Sequence, residues 1–341
     1  METFFSDREI SMTFLKNKGF IYGVNLLPCF PEFRELRIED LYILQGYFEQ
    51  LYPRTSMHNF TNLFIWRHYY HTKISRWRRN ILILIYTAHE GGSFLEPLGP
   101  EKMPETIKLC LSFLSERSNG FKPAIRRVSE RFVKTYLNNG YEFSIEKDID
   151  RSEYVYLAKD LIHLKGRKYD GQRNHIKRFK EAYPDFKIET ITQENIPECL
   201  ELSQQWLSGK CRDLDNRNPD PEEVLQTMSF IDEETVAVKE ALLNFYQLPV
   251  TGLAIRIDGK IRAFSIGEKL NQEMALIHIE KADHGYLGLA QFICHVFTRI
   301  KWSDCKFINR EEDLGLKGLR KAKLALGPDH FINKYNIRWR Q

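Results

Sequence analysis

Gly285, Gly288 and Ala290 form a Gly-x-x-Gly-x-Ala spacing between a strand-like run, Met274 to Glu280, and an apolar run that starts at Leu289. Small residues at such a junction let backbone amides approach a phosphate, and a helix N-terminus adds partial positive charge. The same spacing also serves a plain tight turn with close packing of strand on helix. On the preceding run, His278 and Glu280 share a face by period two, and Lys281 follows at its end. A histidine or carboxylate there can relay a proton from an attacking amine or hydroxyl, with the lysine steadying negative charge. The alternative is a satisfied buried histidine beside an exposed ion pair.

A second cluster runs from His163 to Lys180. Between Lys165 and Lys180 there are seven Lys/Arg residues and one acid. Asp170 can cap a helix on which Arg173, Lys177 and Lys180 form one stripe, with Lys168 just ahead of it. Ile176, Phe179 and Tyr183 make its packing face. A basic ridge without neutralising acids suits a polyanion such as RNA, or a phosphorylated cofactor, and otherwise is a solvated helix face.

A third cluster is Asn309-Arg310-Glu311-Glu312-Asp313, followed by Lys317, Arg320, Lys321 and Lys323. Acids at a helix start and bases toward its end suit the helix dipole without any function. Lys323 shares a face with Leu316 and Leu319, where an apolar residue is expected. Snorkelling at the helix end is the favoured account, against an anion-binding role shared with Arg310, Lys317 and Arg320. The segment Trp66 to Arg79 mixes aromatics and cations. It is expected to be a helix with its aromatic side in the core, rather than a surface for nucleic-acid bases or an anionic membrane.

The elements that would position these residues follow a regular grammar. Phe33 to Leu36 reads as a strand and Asp40 as the cap of a helix, Leu41 to Leu51. Ile81 to Tyr86 is a buried strand, Gly91-Gly92 turns into a strand near Phe94, and Pro104 opens a helix to Leu114. A strand-helix pair covers Ala124 to Leu137, and Tyr154 to Leu161 alternates like a strand. From Phe186 the order repeats: Phe186 to Ile191 resembles Phe33 to Ile38, and Ile308-Asn-Arg310 resembles Ile125-Arg-Arg127. The offsets, about 150 and about 180 residues, imply an insertion in the second copy, for which Cys211 to Glu223 is the candidate. Leu253 to Ile257, Asp258-Gly259 and Lys260 to Lys269 give a two-residue hairpin signal. A turn at Asn271-Gln272, the run to Glu280, the apolar helix, a strand near Phe307, a helix from Leu314 to Leu326 and a strand near Tyr335 follow.

Composition bounds the answer. The chain has 341 residues, and at about 150 residues per domain that suggests two. With 43% apolar and 28% charged residues it is not a disordered chain. The longest aliphatic run, Ile81 to Ile85, is far short of a membrane span. The N-terminus lacks the pattern of a signal peptide. Six scattered cysteines form neither a zinc spacing nor a disulfide framework, and Cys294 reads as a core hydrophobe, so a cytoplasmic location and no metal are expected. The net charge of +4 conceals clustered bases.

Two resemblances add to this reading. Acyl-coenzyme-A transferases of the GNAT type place Gln/Arg-x-x-Gly-x-Gly/Ala at the loop in question, and Gly285 occupies the Gln/Arg position. Tyr154-Val-Tyr156, Leu164 to Lys168, Arg173 to Phe179, His278 to Lys281 and Asn309 to Lys323 resemble the signature of the phosphatidylglycerol lysyltransferase C-terminal-domain family, closest to its stand-alone bacterial members. The resemblance runs from about Phe33 to Tyr335. It implies two tandem GNAT-like domains related to the Fem-type aminoacyltransferases, which move an aminoacyl group from charged tRNA to a lipid or a cell-wall peptide. Lipid-modifying relatives carry membrane spans ahead of this domain, and none is read here, which counts against a lipid acceptor.

The expectation is therefore an α+β chain of two tandem GNAT-like (acyl-CoA N-acyltransferase-like) domains, each a mixed, mostly antiparallel sheet flanked by helices. Its divisions are an extension over 1–30, a first domain over 31–162, a basic inter-domain helix over 163–185 and a second domain over 186–341. The expected function is an acyl- or aminoacyltransferase with aminoacyl-tRNA or coenzyme A as donor carrier. The acceptor is an amine or hydroxyl of a small molecule, peptide or lipid, and peripheral membrane contact is compatible with it. His278, Glu280 and Lys281 are the catalytic candidates. Lys168, Arg173, Lys177, Lys180, Gly285, Gly288, Arg310, Lys317, Arg320 and Lys323 are the candidates for holding the anionic donor. The alternative is a non-catalytic RNA-binding module, with tRNA as partner, on a decayed transferase fold.

Overall fold

A computed structural model describes residues 24–117, 120–137, 142–215 and 233–340. They divide into two units. The first holds 24–53, 57–149 and 333–340, and the second holds 54–56 and 150–332. The division differs from the expected one because the strand read at Tyr154 to Leu161 begins much earlier. It is part of β6 (Phe143–Leu157), whose residues from Asp150 onward belong to the second unit, and the backbone turns helical at Ala158. The basic helix lies inside the second unit rather than between two domains. The expected 1–30 extension falls mostly outside the described residues.

In the first unit β1 (Arg34–Glu35), β2 (Lys73–Trp77), β3 (Asn80–Thr87) and β4 (Gly91–Phe94) pair antiparallel in sequence order. β5 (Ile125–Ser129) returns parallel to β4, and β12 (His330–Trp339) pairs antiparallel with β5. The helices are α1 (Leu41–Leu51), α2 (Phe60–Ile65), α3 (Met103–Ser115) and α4 (Glu130–Tyr136). Pro104 does open α3, where its missing N–H costs nothing. Leu82, Phe94, Ile107, Leu111, Ile125, Val128 and Ile337 form the core.

Two local expectations fail here. Trp66 to Arg79 is not a helix: α2 ends at Ile65, and Lys73 to Trp77 pair residue by residue with Asn80 to Leu84. Pairing with a strongly apolar strand overrides the local charge pattern. Asp40 stands at the N-cap of α1, but its carboxylate accepts from the Arg34 guanidinium at 2.6 and 2.8 Å and from the Arg37 N–H at 2.8 Å, with no capping bond to the helix.

The second unit contains the rest of β6, α5 (Ala158–His163), α6 (Asp170–Ala182), β7 (Lys187–Thr190), α7 (Ile196–Asp215), α8 (residues 233–243) and β8 (Thr251–Ile257). β9 (Lys260–Lys269), β10 (Met274–Ala282), α9 (Leu289–Lys301), β11 (Phe307–Asn309) and α10 (Lys317–Ala325) follow. The strand order is β7-β8-β9-β10-β11-β6, antiparallel throughout except between β10 and β11. Asp258 and Gly259 both adopt positive φ, 49° and 76°, as a twisted two-residue hairpin turn requires. On α9, Leu289, Phe292, Ile293, Val296 and Phe297 are all buried, as their spacing predicts. Phe292 stacks on Phe179 of α6 with centroids 4.9 Å apart. Of the proposed insertion, residues up to 215 extend α7 and the remainder lies outside the described residues. Among the described residues no helix is long and apolar enough to cross a membrane.

Candidate functional site

β11 pairs with β10 only as far as Asn309 opposite Leu276, whereas β10 runs on to Ala282. Where a strand outruns its parallel neighbour, its side chains meet the loop that leaves the shorter strand. That loop is Arg310 to Leu316, and Glu311 and Leu314 take left-handed backbone (φ 58° and 57°). The facing stretch of β10 contains a bulge between Ile277 and Ile279, at His278. The bulge interrupts the alternation on which a shared face for His278 and Glu280 rested, and the two side chains reach different partners.

Glu280 is forked by Arg310. Nη1 lies 3.1 Å from Oε2 and Nη2 lies 2.9 Å from Oε1, and each side chain retains only a small exposed fraction. Arg310 Nη1 also lies 2.9 Å from Cys294 Sγ, and burial pushes that thiol up to about 12, so it stays protonated and is no nucleophile. The Arg310 Nε is buried without a partner.

His278 has no exposed side-chain surface. Its Nε2 lies 3.0 Å from Glu268 and its Nδ1 lies 3.2 Å from Glu311. Burial works against the charged ring, but hydrogen bonds to the two carboxylates outweigh it and raise the pKa to about 9. Burial pushes the Glu311 carboxyl up. The third catalytic candidate stands apart: Lys281 pairs with Glu234 of α8 at 2.6 Å.

The bases around α10 are structural ties. Lys323 does not snorkel. It is buried and donates to the carbonyls of Arg310 and Glu312, both at 2.5 Å. Burial pushes its ammonium down to about 8. The apolar-looking position is therefore spent on the carbonyls of the loop, whose left-handed turns aim them inward. Arg320 forks Asp313 at 2.6 and 2.8 Å and reaches Asp150 at 2.7 Å, while Tyr154 donates to Asp313 at 2.5 Å. Lys317 is exposed.

The glycine loop has its own internal bonding. The Gly285 N–H donates to Asp283 Oδ1 at 2.9 Å, the Tyr286 N–H to Asp283 O at 3.2 Å and the Leu289 N–H to Tyr286 O at 3.1 Å. Gly288 has φ 86°, and a Cβ there would sit 2.1 Å from the His175 carbonyl oxygen. Its smallness is used by the backbone of α6. The bases of α6 are exposed, yet acids do face several of them, contrary to the sequence pattern. Arg173 pairs with Asp170 and donates to the carbonyls of Leu164 and Gly166, Lys177 lies 3.7 Å from Glu181 and Lys168 lies 3.2 Å from Asp160. Lys180 sits over the Phe292 ring at 5.5 Å.

Two acids escaped the sequence reading. Glu268 holds His278, and the fully buried Glu153 accepts from Thr55 (2.8 Å), from Ser56 Oγ (2.6 Å) and N–H (2.9 Å), and from Asn309 (2.6 Å). The available signal was a lone carboxylate beside strongly apolar strand residues, which costs too much to bury without partners.

The model of the family described as phosphatidylglycerol lysyltransferase, C-terminal, matches residues 48–338. The chain belongs to this family. A conserved protein of unknown function from Bacteroides thetaiotaomicron is 28% identical, with a TM-score of 0.77 over 90% of this chain and 99% of that one. The C-terminal domain of a putative lysylphosphatidylglycerol synthetase from Agrobacterium fabrum shares the fold at 15% identity and a TM-score of 0.56, over 88% and 90% of the two chains. An uncharacterized protein of Mycoplasmoides gallisepticum is 21% identical over 188 residues, 55% of this chain and 56% of that relative, so the match spans about half of its length. Family membership brings a transferase-like fold of mixed sheet with flanking helices.

Proposed function

We propose that the chain is an acyl- or aminoacyltransferase whose chemistry takes place where β10 outruns β11. The observation that carries this is the Glu280–Arg310 pair, a carboxylate and a guanidinium held together in a largely buried setting at that divergence. An acceptor amine or hydroxyl attacks the activated carbonyl and loses its proton to Glu280, while Arg310 steadies the oxyanion. The new bond to carbon forms, the bond to the carrier's oxygen or sulfur breaks, and the proton passes to that leaving atom. His278, enclosed by Glu268 and Glu311, positions the loop that carries Arg310 rather than touching substrate.

The donor is an aminoacyl-tRNA ester or an acyl-coenzyme A thioester. The exposed bases Lys168, Arg173, Lys177 and Lys180 suit the phosphates of either. Because the loop amides at Gly285 and Leu289 already bond within the loop, Gly285 and Gly288 shape its path. We read both units as GNAT-like, since each runs from antiparallel strands through a helix to a strand that returns parallel. The family description names phosphatidylglycerol, which makes that lipid one acceptor to offer, beside peptide and small-molecule amines.

The test is turnover of labelled aminoacyl-tRNAs and of acetyl-coenzyme A with each acceptor class. Wild type should transfer label, and Glu280→Gln should lose about 10²-fold or more while remaining folded. Turnover no higher than that of Glu280→Gln with every donor removes the proposal. Salt-sensitive retention of tRNA without any turnover would point instead to a non-catalytic RNA-binding module.

A further inference from the structure

Arg127, in the first unit, is a buried cation with no carboxylate partner among the described residues. It lies on β5, where that strand has just paired in parallel with β4 at Phe94 and Ile125. The register between β5 and β12 shifts between Tyr335 and Ile337, so β5 carries an extra residue, and Arg127 takes left-handed backbone with φ 57°. The Arg127 N–H turns to the Asn336 side chain at 3.4 Å. A non-glycine residue with positive φ inside a strand costs free energy, and bulges of this kind re-aim a side chain.

The re-aimed side chain is 3% exposed, with its guanidinium carbon 4.3 Å from the centroid of the Tyr70 ring. That contact covers one face of the guanidinium plane and uses none of its five donors. Nη2 is buried with no hydrogen-bond partner, and among the described residues no carboxylate pairs with Arg127. Nearby acids have partners of their own. Glu96 lies 3.2 Å from His58 and accepts the Ser129 N–H at 2.8 Å, Glu90 meets Arg126 at 3.3 Å, and Asp148 accepts from Asn336 at 3.0 Å. Leaving a buried cation unpaired is expensive, and arginine cannot escape the cost by losing its proton.

We propose that the first unit has a binding site of its own for a small oxyanion, a carboxylate or phosphate group that enters edge-on and accepts two N–H bonds from Arg127. The planar fork matches either group in a bidentate arrangement, and Tyr70 fixes the plane in which it docks. The burial of Arg127 restricts the occupant to the terminal group of a small molecule. The proposal concerns the first unit alone and stands whether or not the second unit transfers acyl groups.

Thermal unfolding of the full chain tests it. Inorganic phosphate, glycerol 3-phosphate and acetate are each titrated at ionic strength held constant with chloride, against wild type, Arg127→Met and Arg127→Lys. At least one anion should raise the wild-type Tm saturably by about 3 °C or more, as ligand linkage requires. Arg127→Met should show no such rise, and in chloride alone its Tm should equal or exceed that of wild type, because an uncompensated charge has been removed. If Arg127→Met does not fold, Arg127→Lys decides: it keeps the charge but loses the fork, so its rise should be less than half that of wild type. A response confined to the phosphates, or to acetate, identifies the group. The proposal is overturned if no anion shifts the wild type, or if the variants that fold respond to the anions as wild type does.

Discussion

Arg310 follows, and Arg127 lies on, a short strand that returns parallel to its neighbour, yet their environments are opposite. Arg310 forks Glu280 and touches Cys294, so its charge is answered inside the second unit. Arg127 is more deeply buried, sits on a strained bulge, and its guanidinium lies on the face of Tyr70 with no carboxylate partner among the described residues. The contrast teaches where to look for what each unit takes up. A saturated site must exchange an internal contact for a substrate contact, so the transfer proposed for the second unit requires Glu280 to part from Arg310. An unsaturated site needs no such exchange and is completed by its ligand.

The largest effect should come from attacking the saturated partner. Arg310→Met leaves Glu280 largely buried without its counter-charge and should cost on the order of 3 kcal/mol in urea unfolding. The Arg310→Met, Glu280→Gln double variant should recover at least half of that, because the stranded charge goes with it. Arg127→Met, by contrast, should stay within about 1 kcal/mol of wild type in the absence of anions. Equal losses at the two arginines would break the contrast outright.

Next in size is the glycine loop. Gly288→Ala places a methyl group where the His175 carbonyl oxygen already sits, on a backbone that resists any side chain. It should cost about 2 kcal/mol or more, read by chemical denaturation. Gly285, whose nearest neighbour to a new Cβ would be the Asp283 carboxylate at 3.2 Å and whose φ is not left-handed, should tolerate alanine within about 0.5 kcal/mol. If Gly288→Ala were harmless and Gly285→Ala damaging, the loop would be a ligand cradle rather than a packing device.

These residues also mark how far the sequence could be read. Hairpin, glycine loop and apolar helix over Leu253 to Lys301 were legible because turn chemistry and period agree there with burial. The partners of Lys323 were not, since a lysine on an apolar helix face can reach water or a carbonyl, and only the left-handed turns at Glu311 and Leu314 put two carbonyls in its path. Lys73 to Trp77 misled for a related reason: its mix of aromatics and cations reads as a helix with one side in the core, and the pairing with Asn80 to Leu84 that makes it a strand is a tertiary fact. Arg310 stood out in the sequence as a candidate by type, but its pairing with Glu280 depends on β10 outrunning β11. Arg127 entered only as part of a repeat pattern, because neither its bulge nor its missing partner is written in the residue types.

The gentlest effect separates the two units by pH. In the second unit His278 is held by Glu268 and Glu311 with its pKa raised from 6.5 to about 9. A raised folded-state value means that the proton stabilises the fold, so the contribution is complete below about pH 6.5 and is lost as pH rises through 9. Glu311, also raised, has the same sign at lower pH, whereas Lys323, pushed down to about 8, adds stability above that pH and opposes the loss. The clearest window is therefore pH 6.5 to 8, where wild type should lose stability relative to His278→Gln with a slope of at most about 1.4 kcal/mol per pH unit. In the first unit the sign reverses. Burial pushes the Glu96 carboxyl up, but His58 and the hydrogen bonds from Ser129 outweigh it and hold it below its usual 4.5. Its contribution is present above that value and disappears as pH falls through the lower folded-state value, so Glu96→Gln should remove an acid-side loss and leave the alkaline side unchanged. Guanidinium titrations of the two variants from about pH 2.5 to 9 would read both slopes. An alkaline-side change in Glu96→Gln, or none in His278→Gln, would mean that the two histidine–carboxylate groups are not the separate proton sites that their hydrogen bonds describe.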